Sequence, residues 1–177
     1  MKRILLLRHS RYDEGTGNLT TDGMAMCRTL APKLPHFQVV MSSPAPRAIR
    51  TAELLSSNTP NTGVQLRFPS AGLGYSDQIT KRRKAHPLGA AGAIYEIEAL
   101  HQPFHDQAGK LLGLIKSTLN SLPENGVGLF VSHDGLMVAL DKFVHGQSFK
   151  PADHTYKELE GFWIDENLKI TPFSPNY

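Results

Sequence analysis

Three short stretches of this sequence set arginine and histidine directly after apolar runs. Leu6-Leu7-Arg8-His9-Ser10 closes the first, Val40-Met41-Ser42-Ser43-Pro44-Ala45-Pro46-Arg47 continues the second, and Phe130-Val131-Ser132-His133-Asp134 ends a later one. A guanidinium fork matches two oxygens of a phosphate at once. A neutral imidazole is a competent nucleophile, and neighbouring positive charge favours the neutral form. Two arginines and two histidines with no carboxylate cage beside them point to phosphoryl transfer without a metal ion. Each piece alone also has a structural explanation: Arg-His after a strand is commonly a surface pair, and His133 by itself reads equally as a satisfied buried histidine. The joint pattern carries the chemistry.

These residues need a scaffold that brings three strand ends together. Ile4–Leu7 reads as a buried strand. Met24, Cys27, Leu30, Ala31 and Leu34 then recur at helical spacing over residues 22–34. Val39–Met41 is a second strand, and Ser43-Pro44 reads as a helix start with serine as cap and proline in the first turn. Ala48, Ile49, Ala52 and Leu55 form that helix's apolar face, and Val64–Phe68 reads as a third strand. Residues 69–94 read as a long loop with one short helix, a candidate lid. Phe104 to Leu122 is an amphipathic helix, Val127–Val131 a fourth strand, and Leu136 to Phe143 another helix. Residues 155–171 read as two strands joined by a turn near Asp165-Glu166-Asn167. The alternation predicts a three-layer α/β/α sandwich with a mostly parallel sheet and an antiparallel edge from the closing hairpin. Ligands of such sheets bind at the carboxyl ends of the strands. Arg47 falls in the first turn of its helix, where free N–H groups favour an anion.

Composition fits this picture. The chain has 177 residues, 40% hydrophobic and 20% charged, with a net charge of +3. That length predicts a single domain spanning 1–177. One cysteine, Cys27, leaves no disulfide framework and no cysteine zinc site, and reads as a small core residue. The apolar run after Met1-Lys2-Arg3 is too short for a secretory core, and no stretch approaches a membrane span, so a cytoplasmic protein is expected. The scattered basic residues lack an aromatic platform, which disfavours nucleic acid. His86, His101, His105, His145 and His154 show no metal-ligand spacing, Pro103 interrupting the His101/His105 pair. No cofactor is expected.

In its motifs the chain resembles the histidine phosphatase superfamily, branch 1, with the phosphoglycerate mutase-like fold. The matching pieces are Leu7-Arg8-His9-Ser10, Leu19-Thr20-Thr21-Asp22-Gly23, Ser42-Ser43-Pro44-Ala45-Pro46-Arg47-Ala48 followed by Thr51-Ala52-Glu53, and Val131-Ser132-His133-Asp134-Gly135. The resemblance runs from residue 4 to about 145. It implies that His9 attacks phosphorus and becomes a phosphohistidine, that Arg8, Arg47 and His133 bracket the phosphoryl group, with Ser10 beside them, and that water then hydrolyses the phosphoenzyme. The expected partner is a phosphorylated small molecule or a protein phosphohistidine, as in the family's short phosphohistidine phosphatases. A phosphoglycerate mutase-type phosphotransferase and a non-catalytic phosphate-binding module are the alternatives.

The sequence also departs from the family. Ser10 stands where glycine is usual, which is compatible only with negative φ. Tyr12 and Gly15 replace the mutases' phosphate-holding residues. The glutamate that many relatives place after the third strand is missing from Leu73-Gly74-Tyr75-Ser76-Asp77, so the candidate proton donors are Asp77 and Asp134, with Glu96 and Glu98 as weaker ones; a phosphohistidine substrate, whose leaving imidazole needs less help than an alkoxide, makes an acid dispensable. Asp134 also reads as a helix cap. The run Lys81-Arg82-Arg83-Lys84 reads as a solvated helix face or as an anion-attracting element of the lid.

Overall fold

The computed structural model describes residues 1–67, 74–147 and 154–175, the side chain of Ser76 excepted. Its elements in chain order are β1 (Arg3–Arg8), α1 (Thr21–Leu30), β2 (Val39–Ser42), α2 (Pro46–Ser56), β3 (Asn61–Thr62), α3 (Ser76–Arg83), α4 (Gly89–Tyr95), α5 (His101–Ser121), β4 (Val127–Ser132), α6 (Asp134–Val144), β5 (Gly161–Asp165) and β6 (Ile170–Phe173). The strands form one sheet in the order β3-β2-β4-β1-β5-β6. The first four are parallel, and β5 and β6 run antiparallel to their neighbours at one edge.

The continuous apolar run of β1 follows from burial on both faces. Ile4 and Leu6 pack with Phe104, Leu111 and Ile115 of α5 and Leu136 and Leu140 of α6. Leu5 and Leu7 turn to the opposite layer, with Cys27 and Leu30 of α1 and Ala48, Ala52 and Leu55 of α2. The sandwich is therefore the expected three-layer α/β/α arrangement. Cys27 is a fully buried core residue, and Trp163 packs on its strand with Arg3 over the indole. No helix among the described residues is long and apolar enough to cross a membrane.

Register fixes where the reactive ends lie. β4 sits between β2 and β1, pairing Val131 with Ser42 on one side and Leu7 on the other. The ladder continues past the strands through His9 N–H to Ser132 O and Ser43 N–H to Val131 O. His9, Ser43 and His133 thus leave three adjacent strands at one level.

Four sequence expectations are corrected. The second helix begins at Pro46 with Ala45 in extended conformation at its cap, not at Ser43-Pro44; Pro46 supplies the pre-set φ of the first turn, and Ser43 is released for another role. Residues 64–66 form a 3₁₀ turn instead of a strand, and the third strand is the two-residue β3 before it; Phe68 lies outside the described residues. The stretch 69–94 is not a long loop with one helix. Its described part holds α3 and all but the last residue of α4, because Ile79, Ala91, Ala93 and Ile94 are buried in the cores; residues 69–73 lie outside the description. The closing hairpin occupies 161–173, not 155–171, and residues 154–160 are a connection.

Candidate active site

The geometry is built from the loop after β1. His9 is buried, and its Nδ1 lies 2.8 Å from Ser10 O. A carbonyl can only accept, so Nδ1 carries the hydrogen and Nε2 keeps its lone pair. Arg47 Nε donates to that Nε2 at 3.0 Å, which agrees with the same tautomer. Ser10 does not face the cavity: its side chain is fully buried and donates to Gly23 O at 2.8 Å, while its N–H donates to Thr51 Oγ1. It is absent from the positive-φ residues, so the glycine is not required there. Ser10 therefore orients His9 through its carbonyl.

α2 brings Arg47 in from the side. Its guanidinium lies 4.5 Å over the Tyr12 ring and reaches toward His133, with Nη2 3.5 Å from His133 Nδ1. His133 Nε2 is 2.8 Å from Ser43 Oγ, so an Nδ1 that accepts from Arg47 leaves Nε2–H to donate to Ser43. The His9 and His133 rings stand 5.2 Å apart, steeply inclined. Thr51, one turn after Arg47, ties the two loops, donating to Arg47 O at 2.8 Å and accepting from Ser10 N–H. Arg8 is anchored from the other side by donating Nη1 to Tyr156 O at 2.6 Å.

Electrostatics keep both imidazoles neutral. Burial first, then the neighbouring His133 and the guanidiniums of Arg47 and Arg8, hold His9 well below the ordinary imidazole range, against its bond to Ser10. Burial, then Arg47 and Arg8, lowers His133 to about 3. The Arg47 guanidinium is lowered by burial first, then by Arg83 and Arg8, with Tyr12 opposing.

Arg8, His9, Arg47, His133 and Asp134 line one cavity of about 510 Å³. Asp134 does not cap a helix starting at Leu136; it is itself the first residue of α6. Its Oδ1 accepts from Thr155 Oγ1 and Tyr156 N–H. Burial raises its carboxyl above the usual range, with Arg8 and these hydrogen bonds opposing. Asp77 is placed differently. It is exposed on the first turn of α3 and is not part of the cavity wall. Glu96 and Glu98 are exposed too, and Glu96 pairs with Arg82 and His86 instead.

Sequence reasoning missed several cavity residues. The basic run splits: Lys81, Arg82 and Lys84 are exposed, whereas Arg83 turns inward, donating to Tyr12 OH at 3.2 Å and pairing with Glu14 at 2.7 Å. Glu14, Arg11 and Glu158 also line the wall. The helical position of Arg83, four residues after the buried Ile79, was the available signal. Among the described residues no group of three or more His, Cys, Asp or Glu is arranged to hold a metal ion.

Comparison with known proteins agrees with this architecture. The model of the histidine phosphatase superfamily (branch 1) matches residues 4–68. The fold is similar to that of a mycobacterial glucosyl-3-phosphoglycerate phosphatase solved with VO3, at TM-score 0.72 and 19% identity, covering 98% of each chain. It is similar to a phosphoserine phosphatase mutant from Entamoeba histolytica in complex with phosphoserine, at TM-score 0.63 and 17% identity, covering 98% of this chain and 96% of that one. It is also similar to a phosphoglycerate mutase from Bacillus anthracis, at TM-score 0.62 and 15% identity, covering 98% and 92%. Comparison with curated proteins finds no match.

Proposed function

We infer that this chain, which belongs to the histidine phosphatase superfamily, hydrolyses a small phosphomonoester through a phosphohistidine formed on His9. The observation that carries the reading is the tautomer of His9: a buried neutral ring with Nδ1–H on Ser10 O and Nε2 presented among Arg8, Arg47 and His133.

The steps follow from these positions. The phosphate dianion enters the positive end of the cavity, and Arg47 exchanges its bond to His9 for bonds to phosphoryl oxygens. His9 Nε2 attacks phosphorus in line as the bond to the alcohol oxygen breaks. Arg8 and Arg47 stabilise the charge spread over the equatorial oxygens, where catalysis of phosphoryl transfer is concentrated, and His133, held by Ser43, positions Arg47 through Nδ1. Asp134 is the proton donor we favour. It lies on the cavity wall, its carboxyl is raised by burial, and its Oδ1 is fixed by two hydrogen bonds. The departing alkoxide takes its proton. Water then attacks the phosphohistidine, Asp134 takes a proton back, and inorganic phosphate leaves with Nε2 restored. The neighbours' substrates are phosphorylated small molecules by name, and a cavity of about 510 Å³ accommodates one.

The test is hydrolysis of p-nitrophenyl phosphate by wild type and His9→Ala in EDTA, over about pH 5 to 8, where imidazole ordinarily titrates. Turnover that survives EDTA and disappears in the variant, with a trapped acid-labile phosphoenzyme in wild type only, is the expected result. A stable phosphoenzyme that passes its phosphoryl group to an acceptor alcohol instead of water means a phosphotransferase. Phosphate binding without turnover or phosphoenzyme means a binding module.

A further inference from the structure

Besides Arg8, His9, Arg47, His133 and Asp134, the cavity wall includes the charged residues Arg11, Glu14, Arg83 and Glu158. Its charges are sorted. Both guanidiniums have acids close by: Arg83 is 2.7 Å from Glu14 and Arg11 is 3.8 Å from Asp22. Glu158 differs. It is half-buried and has no ion-pair or hydrogen-bond partner among the described residues. With the two pairs cancelled, Glu158 is an acid on the cavity wall that no basic side chain among the described residues pairs.

The backbone behind Glu158 is held in place. Leu159 is fully buried yet sits at φ +62°, the left-handed region that a leucine rarely adopts. Its N–H donates to Arg8 O at 3.2 Å, and Glu160 O accepts from Arg8 N–H at 2.9 Å. The two residues that follow Glu158 are thus bonded to the backbone of the arginine that precedes the nucleophile. A partnerless acid on the wall of a ligand cavity gains most from a cationic hydrogen-bond donor on the ligand.

We propose that Glu158 determines substrate specificity by binding an ammonium group on the alcohol, so that the preferred substrate is the phosphomonoester of an amino alcohol. Resting on the phosphatase reading above, this extends it to the leaving-group side. An alcohol carrying a carboxylate meets Glu158 with like charge and is disfavoured.

The experiment compares kcat/KM for O-phosphoethanolamine, ethyl phosphate and 3-phosphoglycerate in wild type, Glu158→Gln and Glu158→Lys. Turnover of p-nitrophenyl phosphate by wild type establishes separately that the phosphatase reading holds. Wild type should prefer O-phosphoethanolamine over ethyl phosphate by at least about tenfold, within the range one polar recognition group supplies. That ratio should fall to near unity in Glu158→Gln, and Glu158→Lys should shift preference to 3-phosphoglycerate. A wild-type ratio near unity, or a preference retained in Glu158→Gln, overturns the proposal while leaving the phosphatase reading intact. Absence of all turnover, p-nitrophenyl phosphate included, overturns both.

Discussion

Arg47 donates from Nε to Nε2 of His9 at 3.0 Å, so the guanidinium stands in the direction from which phosphorus must approach the nucleophile. In the resting site this bond keeps the lone pair aimed and the ring neutral. On substrate binding the same donor is available to the phosphoryl group, so one side chain holds the ground state and stabilises the transition state.

Arg47→Ala is therefore expected to cost about 10²–10³-fold in kcat, the usual loss for one preorganised donor. Because Arg47 is also a positive neighbour that lowers His9, the variant should raise the imidazole of His9 toward its ordinary range. Steady-state kinetics and an NMR titration of the ring check the two parts separately.

Thr51 is a positioning residue with the least exposed work. Thr51→Val keeps the shape but leaves Ser10 N–H buried without its acceptor. The expected destabilisation is about 1–3 kcal/mol, the cost of one orphaned buried donor. It should appear as a lowered Tm, together with a fall in kcat because Ser10 O no longer aligns His9. A variant with lowered Tm and unaltered kcat would separate Thr51 from the site.

Acid should unfold this protein through its two site histidines. Both have folded-state pKa values below the unfolded value. Between about pH 6.5 and the folded value, which is about 3 for His133, the unfolded chain binds protons that the folded one does not. Stability then rises with pH across that window, by about 1.4 kcal/mol per pH unit for each histidine, and is lost as pH falls through it. Denaturant midpoints for wild type and His133→Gln measured across the window should show a shallower slope in the variant.

Asp134→Asn preserves an Oδ1 that can accept from Thr155 and Tyr156 but cannot supply a proton. Its rate loss should be larger for an alkyl phosphate than for p-nitrophenyl phosphate, whose leaving group needs little help. For the alkyl ester, wild-type kcat/KM should fall as pH rises through the raised carboxyl, and that limb should vanish in the variant. Asp77→Asn, on an exposed turn outside the cavity wall, should leave both rates as they are.

Arg83 and Glu14 join α3 to the loop after β1 through a half-exposed pair. A double-mutant cycle with Arg83→Ala and Glu14→Gln should give a coupling below about 1 kcal/mol, diminishing with salt. A larger, salt-insensitive coupling would show that the pair is shielded from solvent.

What the sequence disclosed and what it hid have different physical origins. The convergence of Arg8, His9 and His133 was legible because they lie at the ends of apolar strands whose pairing is dictated by burial on both faces, and that of Arg47 because Pro46 starts the helix after the neighbouring strand. Ser43 was misread as a cap because serine before proline also satisfies the local rule; only the tertiary position of His133 Nε2 assigns its hydroxyl. Arg83 was hidden within a run of like charges, where the helix turn that selects one of four depends on the seat of Ile79 in the core. Glu14 and Glu158 lie on irregular connections, for which no periodicity exists to be read. Asp77 stood at the right place in the chain for a proton donor, yet the helix that contains it points that side chain outward.

The His9 and His133 rings lie 5.2 Å apart on the ends of paired parallel strands, and neighbouring strands in any sheet lie about 4.8 Å apart. The spacing of the two rings thus lies close to the hydrogen-bond repeat of the backbone that carries them. Substitution can change the side chains but not the strand spacing that sets them side by side. Change of guest on this scaffold then falls to wall residues that no strand end fixes, Arg83 on α3 and Glu14 and Glu158 on connections.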